Sequence, residues 1–181
     1  SLREAIGSSI SGDGIYVPAG VYTLTLGTEL VIDTSLSLTG AGAEDTIIQA
    51  AVTPRSATSR VFNITGGTVS ISGVTIRHGN ADRSGGGIQI DHGTLTLTHS
   101  VVRANLASYV GAGIANRQFG EVTVAHSTII GNTPSSHAGG IWSSGNLTVT
   151  NSTIYGNARD GIYNRTGTLT VTNSTVSAND G

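Results

Sequence analysis

Gly93-Thr94-Leu95-Thr96-Leu97-Thr98-His99-Ser100-Val101-Val102-Arg103-Ala104-Asn105 returns, position by position, as residues 120–132, 145–157 and 167–179. Within this template aliphatic residues alternate with threonine at a period of two, and β-branched residues dominate, so each copy reads as strand rather than helix. A Gly-rich start precedes each copy: Gly86-Gly87-Ile88, Gly111-Ala112-Gly113-Ile114, Gly139-Gly140-Ile141 and Gly161-Ile162. Repeats of roughly 25 residues with three short strands and Gly/Asn corners have the length of one coil of a parallel β-helix. A weaker unit runs through Phe62 and residues 67–72, and residues 15–66 keep the alternation while losing the template.

The expected architecture is an all-β, single-stranded parallel β-helix, a solenoid of about seven coils. It forms one domain over residues 1–181, with a helical cap at 1–7, irregular first coils at 15–66 and regular repeats at 67–181. Three aliphatic rows line the interior: Ile88, Ile114, Ile141 and Ile162; Leu95, Val122, Leu147 and Leu169; Leu97, Val124, Val149 and Val171. Two polar columns read as structural ladders. His99, His126, Asn151 and Asn173 mark the bend between the second and third strands, where a left-handed backbone is needed. Asn105, Asn132, Asn157 and Asn179 close the third strand. Ser100, Ser127, Ser152 and Ser174 read as tight corner packing.

Composition narrows the function. The chain has no Cys, 11% charged residues and a net charge of -2, its nine basic residues all being Arg. This leaves no disulfide framework and no thiolate metal site. Without a basic cluster, nucleic acid is not an expected partner, and no apolar run has the length of a membrane-spanning helix. No cofactor, metal or catalytic residue is expected. The nearest approach to a sugar-enzyme signature is Arg77-His78-Gly79 with Asp91-His92-Gly93, but the carboxylates Asp82, Asp91 and Asp160 fall on different coils.

The outer side of the first strand is the candidate contact surface. Alternation places Gln89, Ala115, Trp142 and Tyr163 in one column and Asp91, Arg117, Ser144 and Arg165 in the next. Trp142, the single Trp of the chain, reads as exposed beside Tyr163 with Arg117 and Arg165 near it, an arrangement able to stack on a sugar ring and donate to its hydroxyls. Asp91 and Arg117 read as a surface ion pair. Loops between coils vary in length along one edge, which in solenoids is often the binding side. Thr96, Thr123, Thr148 and Thr170, flanked by Thr98, Thr150 and Thr172, form a hydroxyl grid like that of ice-binding solenoids, interrupted by Glu121, Ala125 and Asn146.

The stretches Ser1-Leu2-Arg3-Glu4-Ala5-Ile6, Asp13-Gly14-Ile15-Tyr16-Val17-Pro18-Ala19-Gly20-Val21-Tyr22-Thr23-Leu24 and Gly40-Ala41-Gly42, with the repeated Gly-Gly-Ile and Asn-Ser-Thr-Ile, resemble the bacterial CSLREA-type right-handed β-helix proteins, which implies a right-handed single-stranded parallel β-helix. Ile130-Gly131-Asn132 is similar to the turns of polymorphic outer-membrane and autotransporter passengers. The family's leading Cys is absent, and the last coil runs to Asp180-Gly181 without a cap, which reads as a segment of something longer. The resemblance implies a structural or adhesive segment of a secreted or cell-surface protein. Its expected partners are a cell-surface glycan, further coils of a longer chain, or a second copy stacked end to end into a filament. A polysaccharide-binding or pectate-lyase-like protein is the alternative, followed by an ice-binding one.

Overall fold

The computed structural model describes residues 1–118 and 120–180; Gly181, part of the expected uncapped terminus, lies outside them. Each template copy forms a five- or four-residue strand and a three-residue strand on either side of a sharp corner, as in Thr94–Thr98 and Val101–Arg103. Every named strand pairs in parallel with its counterpart one coil away. Leu95, Val122, Leu147 and Leu169 stand in one register row, and Leu97, Val124, Val149 and Val171 in another.

Three faces result. The first stacks six strands: Leu30–Ile32, Phe62–Ile64, Ile88–Ile90, Ile114–Asn116, Ile141–Ser143 and Ile162–Asn164. The second and third faces stack seven each, giving about six complete turns against the seven coils expected. The aliphatic rows are buried as read through Ile141, Leu147 and Val149, with Ile88, Leu95, Leu97, Ile114, Val124 and Ile141 at 0% exposure, but in the last coil Ile162 is only half-buried and Leu169 and Val171 are 41% and 43% exposed, because no further coil covers them among the described residues. The first coils, which lack the template, hold the same register: Leu30 pairs with Phe62 and Phe62 with Ile88. Alternation alone suffices there, because inward side chains specify the register of a strand with one buried side.

A helix, Leu2–Gly7, lies over the first coil. The Ser1 hydroxyl accepts from the Glu4 N–H at 3.3 Å, Ile6 joins the core at 5% exposure, and Arg3 donates to the Thr28 and Glu29 carbonyls, both at 2.6 Å. Among the described residues no helix is long and apolar enough to cross a membrane.

The corners explain the polar columns. His99, His126, Asn151 and Asn173 all have φ near +48°, a backbone that Asn and His tolerate better than most side chains; Gly73 holds the same place one coil earlier with φ +64°. Beside them runs a hydroxyl ladder: the N–H groups of Val74, Ser100, Ser127 and Ser152 donate to Oγ of Ser100, Ser127, Ser152 and Ser174 at 3.1 to 3.3 Å. The closing asparagines form a second ladder. Gly79, Asn105, Asn132 and Asn157 each send their backbone N–H to Oδ1 of the asparagine one coil on, at 2.9 to 3.1 Å.

After this ladder the chain makes a fourth, two-residue strand that the template does not announce: Asn80–Ala81, Leu106–Ala107 and Thr133–Pro134 pair as a small sheet. It occurs only where the loop between coils is long enough to supply it. The Gly-rich starts follow because neighbouring coils approach so closely there. A Cβ on Gly113 would stand 2.6 Å from the Gly140 carbonyl oxygen and 3.1 Å from Asn132 Nδ2, whereas one on Gly131 (φ +63°) would meet nothing within 4 Å. Gly113→Ala is therefore expected to cost about 2 kcal/mol through overpacking, and Gly131→Ala about 1 kcal/mol through the left-handed backbone alone. Urea midpoints of the two variants would check this, and equal losses would mean that the coils separate freely at Gly113.

Candidate functional site

The outer column of the first face is continuous as expected: Gln89 pairs with Ala115, Ala115 with Trp142 and Trp142 with Tyr163. Its exposure is not uniform. Three residues before each inner Ile the chain turns through a left-handed corner, at Gly85, Gly111, Ala138 and Arg159, and this folds the loop back over the face. A Cβ on Gly85 would stand 2.7 Å from that of Gln89, and one on Gly111 would stand 3.0 Å from that of Ala115. Gln89, expected to be a contact residue, is thus roofed over at 6% exposure and is withdrawn from the candidate surface. Its Nε2 donates to Asp91 Oδ2 at 2.9 Å. The expected Asp91–Arg117 ion pair does not form.

Where the roof ends, the face opens into a trough around a half-buried Trp142. On one side lies a hollow of about 320 Å³, walled by Arg83, Tyr109 and His137 from the loops and by Trp142, Tyr163, Arg117 and Arg165 from the face and its turns. On the other side a second hollow of about 350 Å³ shares Trp142, Arg117 and Arg165 and is completed by Gln118, Ser144 and Thr166. The rings are held in place. His137 stacks on Tyr163 with ring centres 5.0 Å apart, and its Nδ1 lies 3.7 Å from Asp160 Oδ2, an oxygen that also accepts from the Ala138 N–H at 3.2 Å. Arg83, Arg117 and Arg165 make no side-chain hydrogen bond or ion pair among the described residues. Arg83, Tyr109 and His137 were absent from the sequence reading, because each stands on a loop that departs from the template. The one signal pointing to them was the gathering of long loops on a single edge.

The remaining candidates stand elsewhere. His78 ends the third-face strand in the left-handed corner that Gly131 and Gly156 occupy in later coils, with φ +59°. Burial holds its imidazole below the usual range, the Ala51 carbonyl opposes this, and Arg77 and Arg103 add to it. Burial, then Arg103, likewise lowers the Arg77 guanidinium, whose Nε donates to Gln49 Oε1 at 2.8 Å. Asp91 and His92 follow the first-face strand, on another side of the coil, so the two motifs do not converge. His99 and His126 stack in parallel with centres 5.0 Å apart, a packing of corner residues. Among the described residues no group of three or more His, Cys, Asp or Glu is gathered as a metal site would require. The hydroxyl grid is longer than expected: Ser37 and Ser70 continue the Thr96 column, and Thr39 and Ser72 the Thr98 column.

Residues 60–181 match the family model described as a right-handed beta helix region. No curated protein matches the chain.

Proposed function

The chain belongs to the right-handed β-helix family, and from that premise we propose that it is a structural, adhesive rod of a secreted or surface-attached protein, which holds glycan in the trough around Trp142. The fold serves enzymes and non-enzymes alike, so the reading rests on the site. One observation carries it: Trp142 and Tyr163, one coil apart on a rigid parallel sheet, stand beside arginines with donors to spare. A pyranose ring offers an apolar face to such rings and hydroxyls to such donors. The rod supplies rigidity, since a site on strands locked by two ladders keeps its geometry without a ligand.

The proposed role is binding rather than turnover. Glycoside hydrolysis takes two carboxyl groups across one bond, and none of the residues named as walling the two hollows carries one. The side of the rod is favoured over its ends because the helix Leu2–Gly7 occupies the place that another coil would take in an end-to-end filament.

The test uses the single Trp as its reporter. Titration with xylohexaose and with a hexasaccharide of galacturonic acid is expected to shift the emission of Trp142 for at least one of them, and Tyr163→Ala to abolish that shift while leaving the thermal midpoint within about two degrees. Emission that ignores both sugars at millimolar concentration would sink the glycan reading.

A further inference from the structure

We propose that the third face carries a binding site of its own, in which Arg77 and Arg103 together receive a phosphate dianion, either the free ion or a monoester. The site is independent of the glycan reading, since it lies on another side of the coil from Trp142.

On the third face the strands Gly20–Thr23, Thr46–Gln49, Thr75–Arg77 and Val101–Arg103 stack in parallel. Their last residues form one row: Thr23 pairs with Gln49, Gln49 with Arg77 and Arg77 with Arg103. Ile76 and Val102, which precede the two arginines, are fully buried, so alternation turns both guanidinium groups outward. The row is organised along its length. Gln49, at 2% exposure, donates through Nε2 to Thr23 Oγ1 at 2.8 Å and accepts through Oε1 from Arg77 Nε, also at 2.8 Å. That bond orients the Arg77 guanidinium, whose two terminal nitrogens make no hydrogen bond among the described residues. Neighbouring coils lie ~4.8 Å apart, a separation between the two arginines that one tetrahedral oxyanion can bridge.

Like charges on adjacent strands repel, and neither arginine is paired with a carboxylate among the described residues. Burial, then the charge of Arg103, holds the Arg77 guanidinium below its ordinary range. On the adjoining His78 burial acts first, the Ala51 carbonyl opposes it, and the charges of Arg77 and Arg103 add to the lowering. No carboxylate enters either environment; Glu44 and Asp45 precede the opposite end of the strand Thr46–Gln49. Arg60, by contrast, is matched by Glu29 at 2.9 Å. A buried glutamine that orients one member of an uncompensated arginine pair is a costly arrangement until an anion completes it. A carboxylate fills a single guanidinium fork, whereas a phosphate dianion brings about two charges and three acceptor oxygens, enough for both.

The experiment follows the backbone amides of Arg77 and Arg103 and the imidazole of His78 by NMR at constant ionic strength. Inorganic phosphate, glycerol phosphate or acetate is added at about pH 7.5, where phosphate is mostly dianionic. Phosphate is expected to saturate these signals in the millimolar range, and acetate to bind at least about tenfold more weakly. The bound dianion should also move the titration of His78 upward, because it offsets the two arginines. Arg103→Gln should weaken phosphate by about tenfold or more without lowering the thermal midpoint of the free protein, since it removes a repulsion. Glycerol phosphate binding as tightly as phosphate would identify an ester as the ligand, and an about tenfold preference for the free ion would identify phosphate itself. Signals that ignore phosphate at tens of millimolar, acetate binding as tightly as phosphate, or indifference to Arg103→Gln would each overturn the proposal. Trp142 emission should stay constant throughout; a phosphate-dependent change in it that survives Arg103→Gln would move the anion to the first face and overturn the third-face site equally.

Discussion

Val149→Asp is expected to destabilise the rod by about 4 kcal/mol or more, while Thr148→Asp, one residue away, changes stability by no more than about 0.5 kcal/mol. Val149 is fully buried and stands in register between Val124 and Val171. A carboxylate placed there has aliphatic neighbours on both coils and no donor within the row, so it must either remain charged without water or take up a proton and still leave polar atoms unpaired. Thr148 points outward from the same strand. The damage is shared by two coil interfaces, because in a solenoid each repeat draws its stability from its neighbours. Urea denaturation measures the loss, and hydrogen exchange should show residues 162–177 opening first. A larger loss for Thr148→Asp than for Val149→Asp would mean that the inner and outer rows are exchanged.

Asn132→Ala is the second large effect, a loss of about 3 kcal/mol or more, against about 1 kcal/mol for Asn179→Ala. Asn132 is wholly buried. Its Nδ2 donates to the Val102 carbonyl at 3.1 Å and to Asn157 Oδ1 at 2.9 Å, while its Oδ1 accepts from Nδ2 and the backbone N–H of Asn105 at 3.0 and 3.1 Å. Truncation removes the partner of each, and groups orphaned in a dry interior cost far more than a typical hydrogen bond contributes. Asn179 sits at the edge of the ladder, only partly buried, where water can replace what is lost. Thermal and urea unfolding of both variants separate the cases. Similar small losses would show that the asparagines fill a corner without forming a cooperative column.

These two effects fall on residues that could be picked out before any coordinates. Leu95, Val122 and Leu147 recur at a fixed place in a repeated template, and so do Asn105, Asn132 and Asn157; a repeat that stacks on itself must place equal positions above one another. The trough is different. Trp142 and Tyr163 were legible because they occupy a template position, but Arg83, Tyr109 and His137 lie on loops of unequal length and composition. Gln89 obeys the same alternation as Trp142 and is nevertheless buried, since the backbone of Gly85 passes over it. Nothing periodic distinguishes the two. Likewise Arg77-His78 has the look of sugar chemistry in one dimension, while in three its His78 is a corner, equivalent to the glycine before Asn132.

By itself, then, the sequence determined the coil, its register and its inner rows, and it marked the corner columns without showing that the serines among them form a ladder, because period-two alternation and a recurring corner are local instructions that stacking merely repeats. The tertiary structure alone decided which outward residues stay open, which carboxylates are engaged and which arginines are left facing a hollow. Those outcomes depend on how loops from neighbouring coils fold back across a face. The distances involved are set between chain segments that share no template, so no spacing along the chain encodes them.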